Sequence, residues 1–91
     1  MEMKEYLYDP SEIFKGQPKQ VAFCVTYKER FVEDSLDNPN PQTCVGENAN
    51  YYVGRENALE DFKNIPRYTN RDYFDVKLWE RGENDTAVRI K

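Results

Sequence analysis

The stretch that most constrains this chain runs from Val21 to Asp37, where an apolar segment, Val21-Ala22-Phe23-Cys24-Val25-Thr26-Tyr27, passes directly into an acidic one, Lys28-Glu29-Arg30-Phe31-Val32-Glu33-Asp34-Ser35-Leu36-Asp37. Its first half sets Val21, Phe23, Val25 and Tyr27 against Ala22, Cys24, Thr26 and Lys28, the period-two pattern of a strand with one strongly buried face. The opposite face is small and semi-apolar, which describes a central strand covered fully on one side and partly on the other. The second half admits two readings. Val32 and Leu36 are four apart, as are Glu29, Glu33 and Asp37, and this spacing favours a helix or irregular loop over a continued strand. Asn38-Pro39-Asn40-Pro41 should end either structure.

The flanking segments supply the rest of the fold. After an extended start at Lys4 to Tyr8, Asp9-Pro10-Ser11-Glu12 has a cap, a proline at the first helical position and an acid three residues beyond the cap. It reads as one short helical turn that sends Ile13 and Phe14 inward and stops at Gly16 and Pro18. Gln42 to Val45 and Asn50 to Val53 flank Gly46-Glu47-Asn48-Ala49, consistent with a hairpin. Glu56 to Asn64 reads as the clearest helix, with Ala58, Leu59 and Phe62 facing inward, acids early, Lys63 late and Pro66 beyond. Tyr73 to Arg81 alternates Phe74, Val76 and Leu78 with Tyr73, Asp75, Lys77 and Trp79; Gly82 to Asp85 turns the chain; Thr86, Val88 and Ile90 resume the apolar face. The fold expected for residues 1–91 is a small single α+β domain: a mainly antiparallel sheet with one or two short helices packed on one face.

A chain of 91 residues buries only about 60–65% of the surface its unfolded form exposes, so its core must be economical. Seven Tyr, five Phe and Trp79 supply large rings for it. With no histidine, Ser-His-Asp and Cys-His nucleophile arrangements and His-ligated zinc are excluded. Asp34, Asp37 and Glu47 do not fit the calcium-loop pattern because Pro39 and Pro41 fall where ligands belong, and no phosphate-binding glycine loop is present, so no cofactor or metal is expected. Chance pairing among 17 acids is no evidence for glycoside chemistry. Cys24 and Cys44 form no C-x-x-C pair and read as reduced structural thiols, a single disulfide being the alternative. The charged start lacks a signal-peptide core, no stretch has membrane-spanning length, and the Asn84-Asp85-Thr86 sequon reads as a turn. A cytoplasmic protein is expected. Arg67, Arg71 and Arg81 read as partners in ordinary surface ion pairs.

The charge is uneven. Between Glu29 and Asn64 eight acids face three bases, a net of −5, whereas the remainder carries +1 of the overall −4. Acids four apart on a helix, or two apart on a strand, repeat at about 6 Å, near the spacing of successive phosphates along a nucleic-acid strand. A row of this kind can occupy a cationic groove built for DNA, and it is also what a solvated acidic face looks like. Tyr51, Tyr73 and Trp79 raise a different possibility, a protein-interaction module whose rings form the contact surface while the acids serve solubility. A second layer or a dimer partner covering those rings is the plain alternative.

Small acidic chains without histidine or a catalytic motif resemble the DNA-mimic inhibitors that bacteriophages direct against host restriction enzymes. In size, acidity and the wording of segments such as Glu5-Tyr6-Leu7-Tyr8-Asp9 and Thr69-Asn70-Arg71-Asp72-Tyr73-Phe74, this chain resembles the Arn anti-restriction family of T4-like phages. The resemblance is one of style across the whole chain and carries no diagnostic motif. It implies a non-enzymatic inhibitor of a host DNA-binding restriction nuclease of the McrBC kind, acting in the host cytoplasm without touching nucleic acid or membrane, with a homodimer among its forms. The residues expected to present the DNA-like surface are Glu29, Glu33, Asp34, Asp37, Glu56, Glu60 and Asp61.

Overall fold

The computed structural model describes residues 4–35, 38–68 and 71–91. Five strands form one sheet in the order β1-β3-β2-β4-β5: β1 (Lys4–Tyr6), β2 (Phe23–Ser35), β3 (Asn38–Tyr52), β4 (Tyr73–Arg81) and β5 (Ala87–Arg89). All neighbours run antiparallel except β1, which lies parallel to β3. One helix, α1 (Arg55–Asn64), completes the α+β architecture.

The apolar run forms the middle of the sheet, as its alternation requires. Val25 pairs with Leu78, Cys24 with Trp79 on one side and Tyr51 on the other. The face carrying Val25 and Leu78, both fully buried, packs against Ala58 of α1 and Ile65 just beyond it, with Leu59, Phe62, Tyr52 and Tyr73 around them. Gly54 precedes the helix, Glu56 occupies its first turn and Lys63 its last, placing each charge where the helix dipole favours it.

The opposite face, expected to be only partly covered, carries a second core. A 3-10 turn at Pro10–Glu12, capped by Asp9 accepting from the Ser11 amide at 3.0 Å, drops Ile13 and Phe14 onto Cys24 and Trp79. Gly16, at φ +80°, turns the chain away. Arg81 holds this lid: its guanidinium donates to the carbonyls of Gln17 (3.2 Å), Pro18 (2.7 Å) and Val21 (2.9 Å) and pairs with Asp85 at 2.7 Å. Arg81 thus makes an ion pair as the sequence suggested, but from a side chain only 12% exposed that also clamps the lid.

Three local expectations are corrected. Residues 28–35 are not helix or loop; β2 simply continues, because β3 pairs with it as far as Ser35. The two prolines therefore open β3 instead of ending an element, at a stretch where β1 does not reach, which is where a sheet tolerates a missing N–H. Nor does Gly46 turn a hairpin: β3 runs unbroken through it, and an added Cβ would stand 3.1 Å from the Phe31 ring that occupies the space. Finally, β4 does not keep one alternation. Asp75, at φ +52°, forms a bulge opposite Tyr27, so Tyr73 joins Val76 and Leu78 on the helix side while Phe74 lies under Arg30 on the other.

Cys24 and Cys44 are free and buried. Seven positions separate Cys44 from Tyr51, the partner of Cys24, about 23 Å along β3, far beyond disulfide reach. Burial, and secondarily the charge of Glu47, pushes the Cys24 thiol up to about 12, so it is a packing group and no nucleophile. Among the described residues no helix is long and apolar enough to cross a membrane.

Two substitutions test this anatomy. Leu78→Ala should cost about 3 kcal/mol by chemical denaturation, the range for a buried leucine that leaves a cavity. Arg81→Met should cost about 2 kcal/mol, because three carbonyls lose a charged donor, and should raise hydrogen exchange in residues 13–18 ahead of the sheet.

Candidate functional site

Helix α1 lies on the sheet with Ala58, Leu59 and Phe62 beneath it, which forces Glu56, Asn57 and Glu60 outward. Glu56 and Glu60 are one turn apart, about 6 Å along the axis. Both are exposed, and among the described residues no cation pairs with either. Asp61 follows about 100° around the helix, which turns it towards β3. There its Oδ2 accepts from the Asn50 amide at 3.0 Å and from the Tyr52 hydroxyl. Asn50 and Tyr52, two apart on β3, share the face that α1 covers, so the strand's own period aims both at this carboxylate.

The phenol of Tyr52 is consequently held well above its ordinary value, first by burial and then by donation to Asp61 and that group's negative charge. Tyr27 is raised as well, chiefly by burial, and feels the charges of both Asp61 and Glu29. Around these groups lies an open groove of about 310 Å³ lined by Tyr52, Asn57, Glu60, Asp61 and Asn64. It is polar, walled by two carboxylates and two amides, and suited to groups that donate hydrogen bonds and carry positive charge.

The seven acids singled out in the sequence do not form one uniform row. Glu56, Glu60 and Asp61 come together on α1. Glu29 lies on the same side of the sheet beyond Tyr27, where Arg71 approaches its Oε1 at 3.5 Å. Glu33 and Asp34 lie in the outer part of β2, past Glu29, the last residue paired with β4. Asp37 lies outside the described residues. Among the described residues no group of three Cys, Asp or Glu side chains is placed to hold a metal.

The three aromatic residues of the interaction-module reading are engaged inside the molecule. Trp79 is 9% exposed and donates Nε1–H to Thr26 Oγ1 at 2.8 Å. The Tyr51 hydroxyl donates to the Ile13 carbonyl at 2.6 Å. Tyr73 stands edge-on to Tyr27, with centroids 4.9 Å apart, and to Tyr68 at 6.2 Å. Trp79 is buried, whereas Tyr51 and Tyr73 are half-buried.

Sequence reasoning missed a second concave region on the other side of the sheet. Glu5, Leu7, Tyr8 and Glu47 line a groove of about 420 Å³, and the Tyr8 amide donates to Glu47 Oε1 at 2.9 Å. The parallel pairing of β1 with β3 creates it, and a reading that placed Glu47 in a hairpin turn could not bring it beside Glu5. No protein-family model matches the chain, and neither a curated protein nor a solved structure does.

The network around Asp61 has a pH signature. A phenol raised in the folded state contributes stability that is fully present below its unfolded value, 10.0, and is lost as pH rises through the folded value. Wild-type protein should therefore lose stability between pH 10 and 12 more steeply than Tyr52→Phe, compared by denaturant midpoints across that range. Equal slopes would show that the phenol is not raised in the folded state.

Proposed function

We propose that this chain is a non-enzymatic acidic inhibitor that imitates DNA and occupies the cationic site of a host DNA-binding nuclease, of the McrBC-like restriction kind implied by the sequence resemblance. The observation that carries this reading is the outer flank of α1. Glu56 and Glu60 are exposed one helical turn apart without an ion-pair partner among the described residues, beside a groove whose remaining polar groups are Tyr52, Asn57, Asp61 and Asn64.

A protein that normally neutralises phosphates offers Lys and Arg side chains at such intervals, and carboxylates can take the phosphates' place there. The long dimension of the molecule, 46 Å, corresponds to roughly thirteen base pairs at about 3.4 Å each. That length permits contact with more of the cationic groove than one helix alone, and a homodimer would lengthen the surface further. Glu29 belongs to the edge of this surface and is moderated by Arg71.

In a DNA-cleavage assay with a modification-dependent restriction nuclease, wild-type protein should inhibit, and inhibition should weaken steadily with added salt, since screening at physiological ionic strength acts within about 8 Å. Reversing both outward acids, Glu56→Lys with Glu60→Lys, should weaken inhibition by at least about tenfold, the equivalent of 1.4 kcal/mol. Inhibition unchanged by this double reversal, or indifferent to salt, sinks the assignment.

A further inference from the structure

We infer that the groove between β1 and β3 is a docking pocket for an arginine side chain of a partner protein. This goes beyond the DNA-mimic reading and does not depend on it, because the groove is built on the opposite side of the sheet from α1. Three features converge on a guanidinium.

The walls are the first. Leu7 and Tyr8 leave 47% and 46% of their surface in water although they line a cavity of about 420 Å³, so a slender aliphatic stem can lie against them and remove apolar surface from solvent. An aromatic ring beside a cation adds attraction of its own.

The second feature is charge. Glu5 and Glu47 both line the groove. The cation placed opposite Glu47 in the strand register, Lys28, is committed elsewhere, to Asp75 at 2.8 Å, and that carboxylate also takes Lys77 at 3.5 Å. The hydrogen bond to Asp75 is the main reason the Lys28 ammonium is raised. Glu47 and Glu5 add to that shift through their charges, but among the described residues no cation makes an ion pair with either groove carboxylate.

The third is preorganisation. The Tyr8 amide fixes Glu47 through Oε1 at 2.9 Å, so the second oxygen of a half-buried carboxylate is presented in a set direction while Glu5 supplies a second acceptor. Two carboxylates around one cation suit the planar, multiply donating guanidinium better than the point charge of a lysine.

The test uses full-length ¹⁵N-labelled protein titrated with the capped peptide Ac-Gly-Arg-Gly-NH₂, its neutral citrulline isostere and its lysine analogue. Saturable amide shifts centred on Tyr8 and Glu47 are expected with the arginine peptide, with weaker binding of the lysine peptide and none of the citrulline peptide. Glu47→Gln keeps a carbonyl for the Tyr8 amide and removes only the charge; it should weaken binding about tenfold, the loss of one charge-assisted hydrogen bond. Tyr8→Ala, at an exposed position, should weaken it too, and Glu60→Gln on α1 should leave it unchanged. Shifts that are absent, that spread over every acidic surface, that centre on α1, or that are equal for arginine and lysine overturn the inference. None of these results bears on inhibition of the nuclease, so the two proposals fail separately.

Discussion

The structure depends on residues 24 to 26 of β2 being apolar or internally satisfied in every direction. β3 and β4 meet only through β2, so each backbone pair there holds two otherwise separate parts of the sheet together. Above the plane Val25 contacts the helix layer, and below it Cys24 contacts the lid of Ile13 and Phe14. Thr26 is 1% exposed, and its hydroxyl is tolerable only because Trp79 supplies the donor. A small chain thereby obtains two thin cores from one strand instead of one thick core from two sheets.

The lid explains why a cation is buried in a protein of net negative charge. Residues 13 to 18 contribute two large side chains but little regular structure, so several of their carbonyls have no partner in a strand or helix. Arg81 satisfies those of Gln17 and Pro18, and that of Val21 beyond them, from the end of β4 with a rigid, multi-donor group that a lysine could not reproduce. Elsewhere the charges stay near the surface. Lys28 with Asp75, and Arg30 with Asp72, flank the Asp75 bulge on the face opposite α1, whereas Arg55 and Lys63 lie on α1 itself. Pairs near the surface add little stability each, and none of them involves Glu56 or Glu60.

How much of this was legible follows from where the governing contacts are local. The Asp9 cap, the Gly16 stop, the inward Ile13 and Phe14, the span of α1 and the turn between β4 and β5 were readable because each is decided within a few residues. The course of residues 28 to 53 was not. Four-residue spacing of Val32 and Leu36 imitates a helix, yet β3 supplies a hydrogen-bonding partner along all of β2, and tertiary pairing outweighs so weak a periodicity. Gly46 looked like a turn because its real reason, the Phe31 ring against its α-carbon, lies fifteen residues away in sequence. The Asp75 bulge is likewise invisible: aspartate is one of the few residues that adopts positive φ readily, but nothing nearby announces it. For the acids, sequence located Glu56 and Glu60 on one helix face but could not separate them from Asp61, whose direction depends on Asn50 and Tyr52.

That separation matters to any function resting on charge. A carboxylate that accepts two hydrogen bonds from its own sheet has part of its charge satisfied before a partner arrives, and drawing it outward would break both bonds. Asp61 is therefore a fixed wall of its groove, whereas Glu56 and Glu60 are exposed, make no ion pair among the described residues and can take up a cation at small cost. Glu56 also occupies the first turn of α1, where a negative charge is favoured by the helix dipole by about 0.3–1 kcal/mol. Folding thus selects the same sign at that position that the proposed binding would require. The stake of the fold in it is small, the stake of a competing polyanion surface is large, and the two contributions differ enough in size to be told apart.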